Sequence, residues 1–247
     1  MFWQYFIRNL IPAVFLIIFF GLRISANAID SDSAIVLAQR YLNPDIEFDV
    51  SLKSRIQIDS IKISHQTSPY FRHFLDGRTA WEIVVPQLNQ LYTDSMLSKL
   101  RGEFDYHILV DHETGLLLKI AYRPDSIVLT DDEQKRIETS LLAKGMGYSG
   151  ISADKPFPFL KLLTNTMYNV FEAKAFEAFF VYSKSKEDMQ KSFWHIVLYD
   201  YPASTAVPPP VKPNSNEYEY KAITVRVRSD IVLDGTTGKL LTISGMN

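Results

Sequence analysis

Apolar positions recur along this chain with three different spacings, and each spacing points to a different kind of element. The first is unbroken. Leu10 to Leu22 is apolar apart from Pro12 and Gly21, follows Arg8 and ends at Arg23. The small-residue site Ser25-Ala26-Asn27-Ala28 comes next. A spanning helix needs about 20 apolar residues, and this run has the length of a signal-peptide core with its cleavage site in place. Residues 1–28 are therefore read as a signal peptide and Ile29 as the mature N-terminus. The competing reading is an uncleaved anchor, favoured by the apolar segment Met1–Ile7.

The second spacing is helical. Ala34, Ile35, Ala38, Tyr41 and Leu42 follow the caps Ser31-Asp32-Ser33 and stop at Asn43-Pro44. Further on, Thr130-Asp131-Asp132-Glu133 is a capping box, with Ile137, Leu141 and Leu142 behind it and Gly145 and Gly147 closing the helix. Phe159, Leu160, Leu162, Leu163, Met167 and Tyr168 suit a short amphipathic helix.

The third spacing is alternation, which predicts strands. It covers Ile56, Ile58, Ile61 and Ile63, with a phase change at Asp59-Ser60 read as a bulge. It returns at Ile223, Val225 and Val227, leading into Ile231–Asp234, and further strands are read at Trp81–Pro86, Tyr106–Asp111, Leu116–Ile120, Trp194–Tyr199 and Lys239–Ile243. Glu172–Tyr182 is read as a strand, the counterpart of Arg55–Ser64.

The order repeats. Trp-x-Ile-Val occurs at Trp81 and at Trp194, and a strand ending in Asp-x-x-Thr-Gly occurs at Asp111, Thr114, Gly115 and at Asp234, Thr237, Gly238. Aspartate binds backbone amides ahead of it and glycine permits positive φ, so each Asp-x-x-Thr-Gly predicts a hairpin loop. Two motifs in one order, each set behind a capped helix, predict an α+β protein of two tandem repeats. Each repeat is expected to be a helix packed on a curled antiparallel sheet, over 29–123 and 124–247. Inserts are placed at 156–171 and at 202–216, the latter an exposed loop around Pro208-Pro209-Pro210.

Composition narrows the function. The chain has 247 residues, 47% hydrophobic and 13% aromatic, as a packed globular protein has. Without Arg8 and Arg23, 24 basic residues face 28 acidic ones, which argues against nucleic acid as a partner. The absence of cysteine excludes disulfides, thiolate zinc sites and cysteine nucleophiles.

Candidate chemistry is sparse. His107, Asp111, His112 and Glu113 form the densest set of metal-ligand types, but the aligned positions Asp230, Asp234, Gly235 and Thr236 hold no histidine. The set is read as a solvated strand end, with no metal and no cofactor. His65 and His73 flank Pro69-Tyr70-Phe71 in an expected loop. Trp81 and Trp194 are expected in the core, which would expose His195. Arg226 and Arg228 alternate with Val225 and Val227 as a solvated stripe. No catalytic triad, His-Glu-x-x-His or phosphate loop stands out.

A helix followed by a Trp-bearing strand and a closing hairpin resembles the PepSY family, a cystatin-like α+β domain. Val110-Asp111-His112-Glu113-Thr114-Gly115 is similar to that family's closing VDxxTG signature, as is Leu233-Asp234-Gly235-Thr236-Thr237-Gly238. The similarity spans roughly 32–122 and 130–245. It implies a non-catalytic protein, secreted or periplasmic, that binds and regulates a peptidase or another envelope protein, with no membrane span once the signal is removed. Trp81, Asp111, Thr114, Gly115, Trp194, Asp234, Thr237 and Gly238 would be its structural signature. The alternative expectation is a binding module for a small apolar or lipid ligand, with Phe157–Phe180 as a lid.

Mass spectrometry of the N-terminus of the native protein is expected to find Ile29. Finding Met1 would mean that the segment is retained as an anchor.

Overall fold

The computed structural model describes residues 28–45, 47, 49–50, 52–58, 67–86, 105–143, 147–165, 170–184, 190–207 and 221–245. The protein is α+β, with one nine-stranded antiparallel sheet and four α-helices among these residues. Helix α1 (Ser31–Leu42) precedes β1 (Leu52–Gln57), α2 (Pro69–Leu75), β2 (Thr79–Val85), β3 (Tyr106–Asp111) and β4 (Leu117–Tyr122). A 3-10 turn at Pro124–Ser126 leads to α3 (Asp131–Ala143), the short β5 (Gly150–Ile151) and α4 (Phe159–Asn165). Four strands end the chain: β6 (Ala175–Lys184), β7 (Gln190–Val207), β8 (Lys221–Asp234) and β9 (Leu240–Gly245). The described residues contain no helix long and apolar enough to cross a membrane.

Sheet order follows chain order. The strands lie β1-β2-β3-β4-β6-β7-β8-β9, with β5 beside β6. Two antiparallel meanders, β1–β4 and β6–β9, are thus joined edge to edge. The joint is short, pairing Ile120 with Ala178, Ala121 with Glu177 and Tyr122 with Phe176.

Alternation buries both faces. On the first face, Ile83, Ile108, Ile120, Phe176, Trp194 and Ile231 join Ala34, Ala38, Tyr41 and Leu42 of α1 and Phe159, Leu160, Leu162 and Leu163 of α4. On the second, Ala80, Leu109, Leu118, Phe179, Val181 and Val197 join Tyr70, Phe71, Phe74 and Leu75 of α2 and Ile137 of α3. Phe71 stacks on Phe179 with ring centres 4.0 Å apart, worth about 0.5–1.5 kcal/mol beyond the area it buries. Helix α2 of the first half therefore caps strands of the second.

Local signals explain the helices. The Asp30 carboxylate accepts from the Ser33 amide at 2.7 Å, so the cap of α1 lies one residue before the expected Ser31-Asp32-Ser33. Thr130 and Glu133 form the reciprocal capping box of α3, at 2.9 and 3.3 Å. Pro69 opens α2, where its missing N–H costs nothing. Tyr70 and Phe71, expected in a loop, are buried helix residues instead.

Two strand boundaries also differ from the alternation pattern. The first strand is Leu52–Gln57, and the expected Ile61, Ile63 and Asp59-Ser60 bulge lie outside the described residues. At the other end, 202–207 belong to β7 and not to a loop; 208–220 lie outside the described residues. Leu198 pairs with Ser229 and Tyr201 with Val227, so Tyr199 and Asp200 bulge opposite Arg228, with Asp200 at φ 55. Beyond the bulge, β7 has passed the end of β6. Pro202 therefore lies where β7 has a partner strand on one side only, the kind of position in which a sheet tolerates proline.

The two closing hairpins match bond for bond. Asp111 Oδ1 accepts from Thr114 N and Thr114 Oγ1, each at 2.8 Å, and Asp234 Oδ1 accepts from Thr237 N and Oγ1, each at 2.8 Å. Gly115 and Gly238 take φ of 71 and 69, the left-handed region that favours glycine. Each hairpin is followed by a register shift, between Leu109 and Val110 and between Val232 and Leu233.

Asp111 differs in one respect: its Oδ2 pairs with Arg78 at 2.8 Å. Burial opposes ionisation of Asp111, but the bonds from Thr114 and Arg78 outweigh it, and the carboxyl stays below the usual range. The Thr237 amide and hydroxyl hold Asp234 low too. Both carboxyls have folded pKa values below their unfolded values, so their stabilisation is complete above about pH 4 and disappears as pH falls through the folded values. In urea unfolding at neutral pH, Asp234→Ala is expected to cost about 1–2 kcal/mol and Asp111→Ala about 1–3 kcal/mol, because the latter also loses the ion pair with the partly exposed Arg78. Both penalties should shrink as the pH falls below 4.

Candidate functional site

The indole Nε1 of Trp81 donates to Ile29 O at 2.9 Å, and that of Trp194 donates to Phe157 O at 3.0 Å. Ile29 N donates to His112 O at 2.9 Å and Phe157 N to Gly235 O at 2.8 Å. Each tryptophan thus ties the chain entering a helix to the mouth of a hairpin. Trp194 is fully buried and Trp81 packs at the edge of the same cluster. By these bonds the segment of the second half that occupies the place of α1 is α4, where the sequence pattern pairs α1 with the helix after Thr130.

One residue after each tryptophan, and four before each hairpin aspartate, the second face carries a carboxylate–imidazole couple. In the first half, Glu82 Oε1 lies 2.9 Å from His107 Nδ1. In the second, His195 Nε2 lies 2.8 Å from Asp230 Oδ1. The order of residue types along the chain is opposite in the two couples, carboxylate then imidazole in one and imidazole then carboxylate in the other. The His107 hydrogen bond holds the Glu82 carboxyl below its ordinary range against the opposing effect of burial.

The surroundings of the couples differ. His107 and Glu82 are 26% and 24% exposed, while His195 and Asp230 are 0% and 1% exposed. Phe71 meets the His195 ring edge-on at 4.9 Å and Tyr148 meets it at 5.6 Å. His195 is therefore buried and not exposed, because α2 covers the face that alternation alone would leave wet. Arg228 is not solvated either: its side chain is 9% exposed and its Nη2 lies 2.7 Å from Asp230 Oδ1. The side chain of Arg226 lies outside the described residues.

Between the couples runs a buried polar bridge. Lys119 Nζ donates to Glu177 Oε1 at 2.9 Å and to Thr67 Oγ1 at 3.2 Å, and Tyr199 Oη donates to Glu177 Oε2 at 2.8 Å. Burial and the Glu177 charge push the Tyr199 phenol far up, so it remains a hydrogen-bond donor. A buried ion pair adds little net stability, but removing one partner costs about 3–5 kcal/mol. Nothing in the strand pattern marks Glu177 or Lys119 as paired, since they are 58 positions apart.

Each end of the bridge reaches a cleft. Lys119, Glu82 and His107 line one of about 140 Å³, together with Leu75 and Leu109. Tyr199 and Arg228 lie in another of about 440 Å³, with Arg136, Lys174 and the exposed Val128 at its walls.

The candidate metal-ligand types at 107–113, read as a solvated strand end, are engaged separately, and Asp111 is buried rather than solvated. His107 is taken by Glu82, and Asp111 by Thr114 and Arg78. The His112 ring lies 5.9 Å from that of Trp81. The described residues hold no group of three His, Asp or Glu able to bind a metal. His65 lies outside the described residues, and His73 is on α2 with its ring 3.9 Å from Phe74. Phe159, Phe176 and Phe180, in the segment read as a lid for a small ligand, are buried in the cluster of the first face. Comparison with known proteins gives no match: no family model, no curated protein and no solved structure is similar to this chain.

If the couple is an interchangeable unit, Glu82→His or His107→Asp alone should each cost about 1–2 kcal/mol, and the double variant should come within about 0.5 kcal/mol of the parent in urea unfolding. Additive losses in the double variant would show that the two side chains act separately.

Proposed function

We propose that the chain is two tandem copies of one PepSY-like unit and serves as an exported, non-catalytic protein that binds and regulates a peptidase or another envelope protein. The observation that carries this reading is the matched tie in each half: tryptophan to helix entry, helix entry to hairpin, aspartate to Thr and Gly. These bonds consume the signature residues in holding the fold, as a scaffold for docking would. The second unit would take α4 as its principal helix. Both clefts are open at the surface, and the aromatic clusters occupy the space between sheet and helices, which favours a protein partner over an enclosed apolar ligand. One observation favours the small-ligand alternative: the 440 Å³ cleft has the size of a ligand site, with Ile127, Val128 and Ile137 beside Arg136 and Lys174.

The test is retention of a partner. The full chain, tagged at its C-terminus and used as bait in the envelope fraction of its own cell, is expected to hold one protein at comparable stoichiometry. Adding that protein should raise the melting temperature. No retained protein, together with a clear thermal shift from a lipid extract, would replace this reading by the small-ligand one.

A further inference from the structure

The two carboxylate–imidazole couples occupy the same place in their meanders and differ in what lies above them. Over His195, Phe71 stands edge-on at 4.9 Å and itself stacks on Phe179 at 4.0 Å, so an aromatic ring fills the space above the couple. Helix α2 supplies that ring from the other half of the chain. Over Glu82 and His107 the same space is a cleft of about 140 Å³ among the described residues. Small-molecule sites run from about 300 Å³ upward, so this cleft suits a single inserted side chain. Its apolar lining comes from Ile56, Ile58, Leu75, Leu109 and Ala121, and its polar lining from the Glu82–His107 couple and Gln57. That combination suits a ring, whose face packs on the aliphatic walls while its edge meets the imidazole. Lys119 borders the cleft, but its ammonium is engaged by Glu177 and Thr67 and does not call for an anion.

We propose that this cleft receives a phenylalanine or tyrosine side chain of the partner protein, in the position over the Glu82–His107 couple that Phe71 takes over His195. The proposal rests on the reading of the chain as a protein-binding module. The ring is the anchor of the interface, and the surrounding surface of β1, β2 and the end of α2 at Leu75 is the rim that excludes water from it.

The probe is N-acetyl-L-phenylalaninamide, titrated into the full chain with isotope-labelled histidine rings and compared with N-acetyl-L-leucinamide. Five histidines give a resolvable spectrum. The His107 ring resonances are expected to shift saturably at millimolar phenylalaninamide, while those of His195 stay fixed and leucinamide produces less than about a third of the shift. Absence of a His107 shift, as when the chain's own residues fill the cleft, overturns the proposal, and so does an equal response to both amides. Ala121→Trp fills the cleft, with Gln57→Trp at the rim as the second variant if the first fails to fold. A folded variant of either kind should lose the protein retained by the parent at least tenfold. If the retained protein binds it as before, the cleft proposal falls and the protein-binding reading stands. If phenylalaninamide binds but no protein is ever retained, the cleft is a site for an aromatic ring, and both the protein partner and the reading of function fall.

Discussion

The fold depends on an indole N–H that donates to a main-chain carbonyl outside its own sheet. At Trp81 and again at Trp194, this bond fixes where the chain turns into a helix, and the same entry residue then bonds to the hairpin. Three segments distant in sequence are held by two hydrogen bonds and one ring, fully buried at Trp194 and partly buried at Trp81. The ring's burial supplies most of the free energy; the bonds supply direction. Without them, α1 and α4 would still be amphipathic, but their placement over the sheet would rest on apolar contact alone, which has little preference for angle.

Given that frame, the second face solves a different problem. Nine strands with helices on both sides leave few positions wet, so charged residues in the strands must meet one another. Glu177 is fully buried at the joint between meanders and gathers Lys119, Thr67 and Tyr199 around it. Such a network is tolerated only when nearly every polar atom finds a partner. It also fixes register: a one-residue slip of β6 on β4 would turn Glu177 onto the apolar first face.

The sequence made some of this readable, for identifiable reasons. Asp-x-x-Thr-Gly is a local motif whose bonds close within five residues, so both hairpins could be read from it, and the capping box at Thr130 likewise. The Trp-x-Ile-Val strands could be read because each is a short run of aromatic and β-branched residues. Tyr70 and Phe71 were hidden because Pro69 reads equally as a loop marker and a first helical residue. His195 was misplaced because alternation assumes one dry face. The couples escaped notice because comparing identical positions matches residue types. His107 aligns with Asp230, and its meaning appears only when Glu82 and His195 are compared at the same time.

The capping of the second half by α2 has a consequence for how the chain is made. Phe71 precedes its socket residues Phe179 and His195 by more than a hundred positions. At ordinary rates of synthesis that interval is on the order of ten seconds. During it, α2 has Ala80, Leu109 and Leu118 of its own half to pack on, but Phe71 lacks the rings that enclose it. The first meander can close on its own neighbours in sequence, yet it must carry this unsatisfied helix until the last strands emerge. Completion of the protein is therefore a late, long-range docking event, and a chain stopped before β7 would expose the surface most prone to bind the wrong partner.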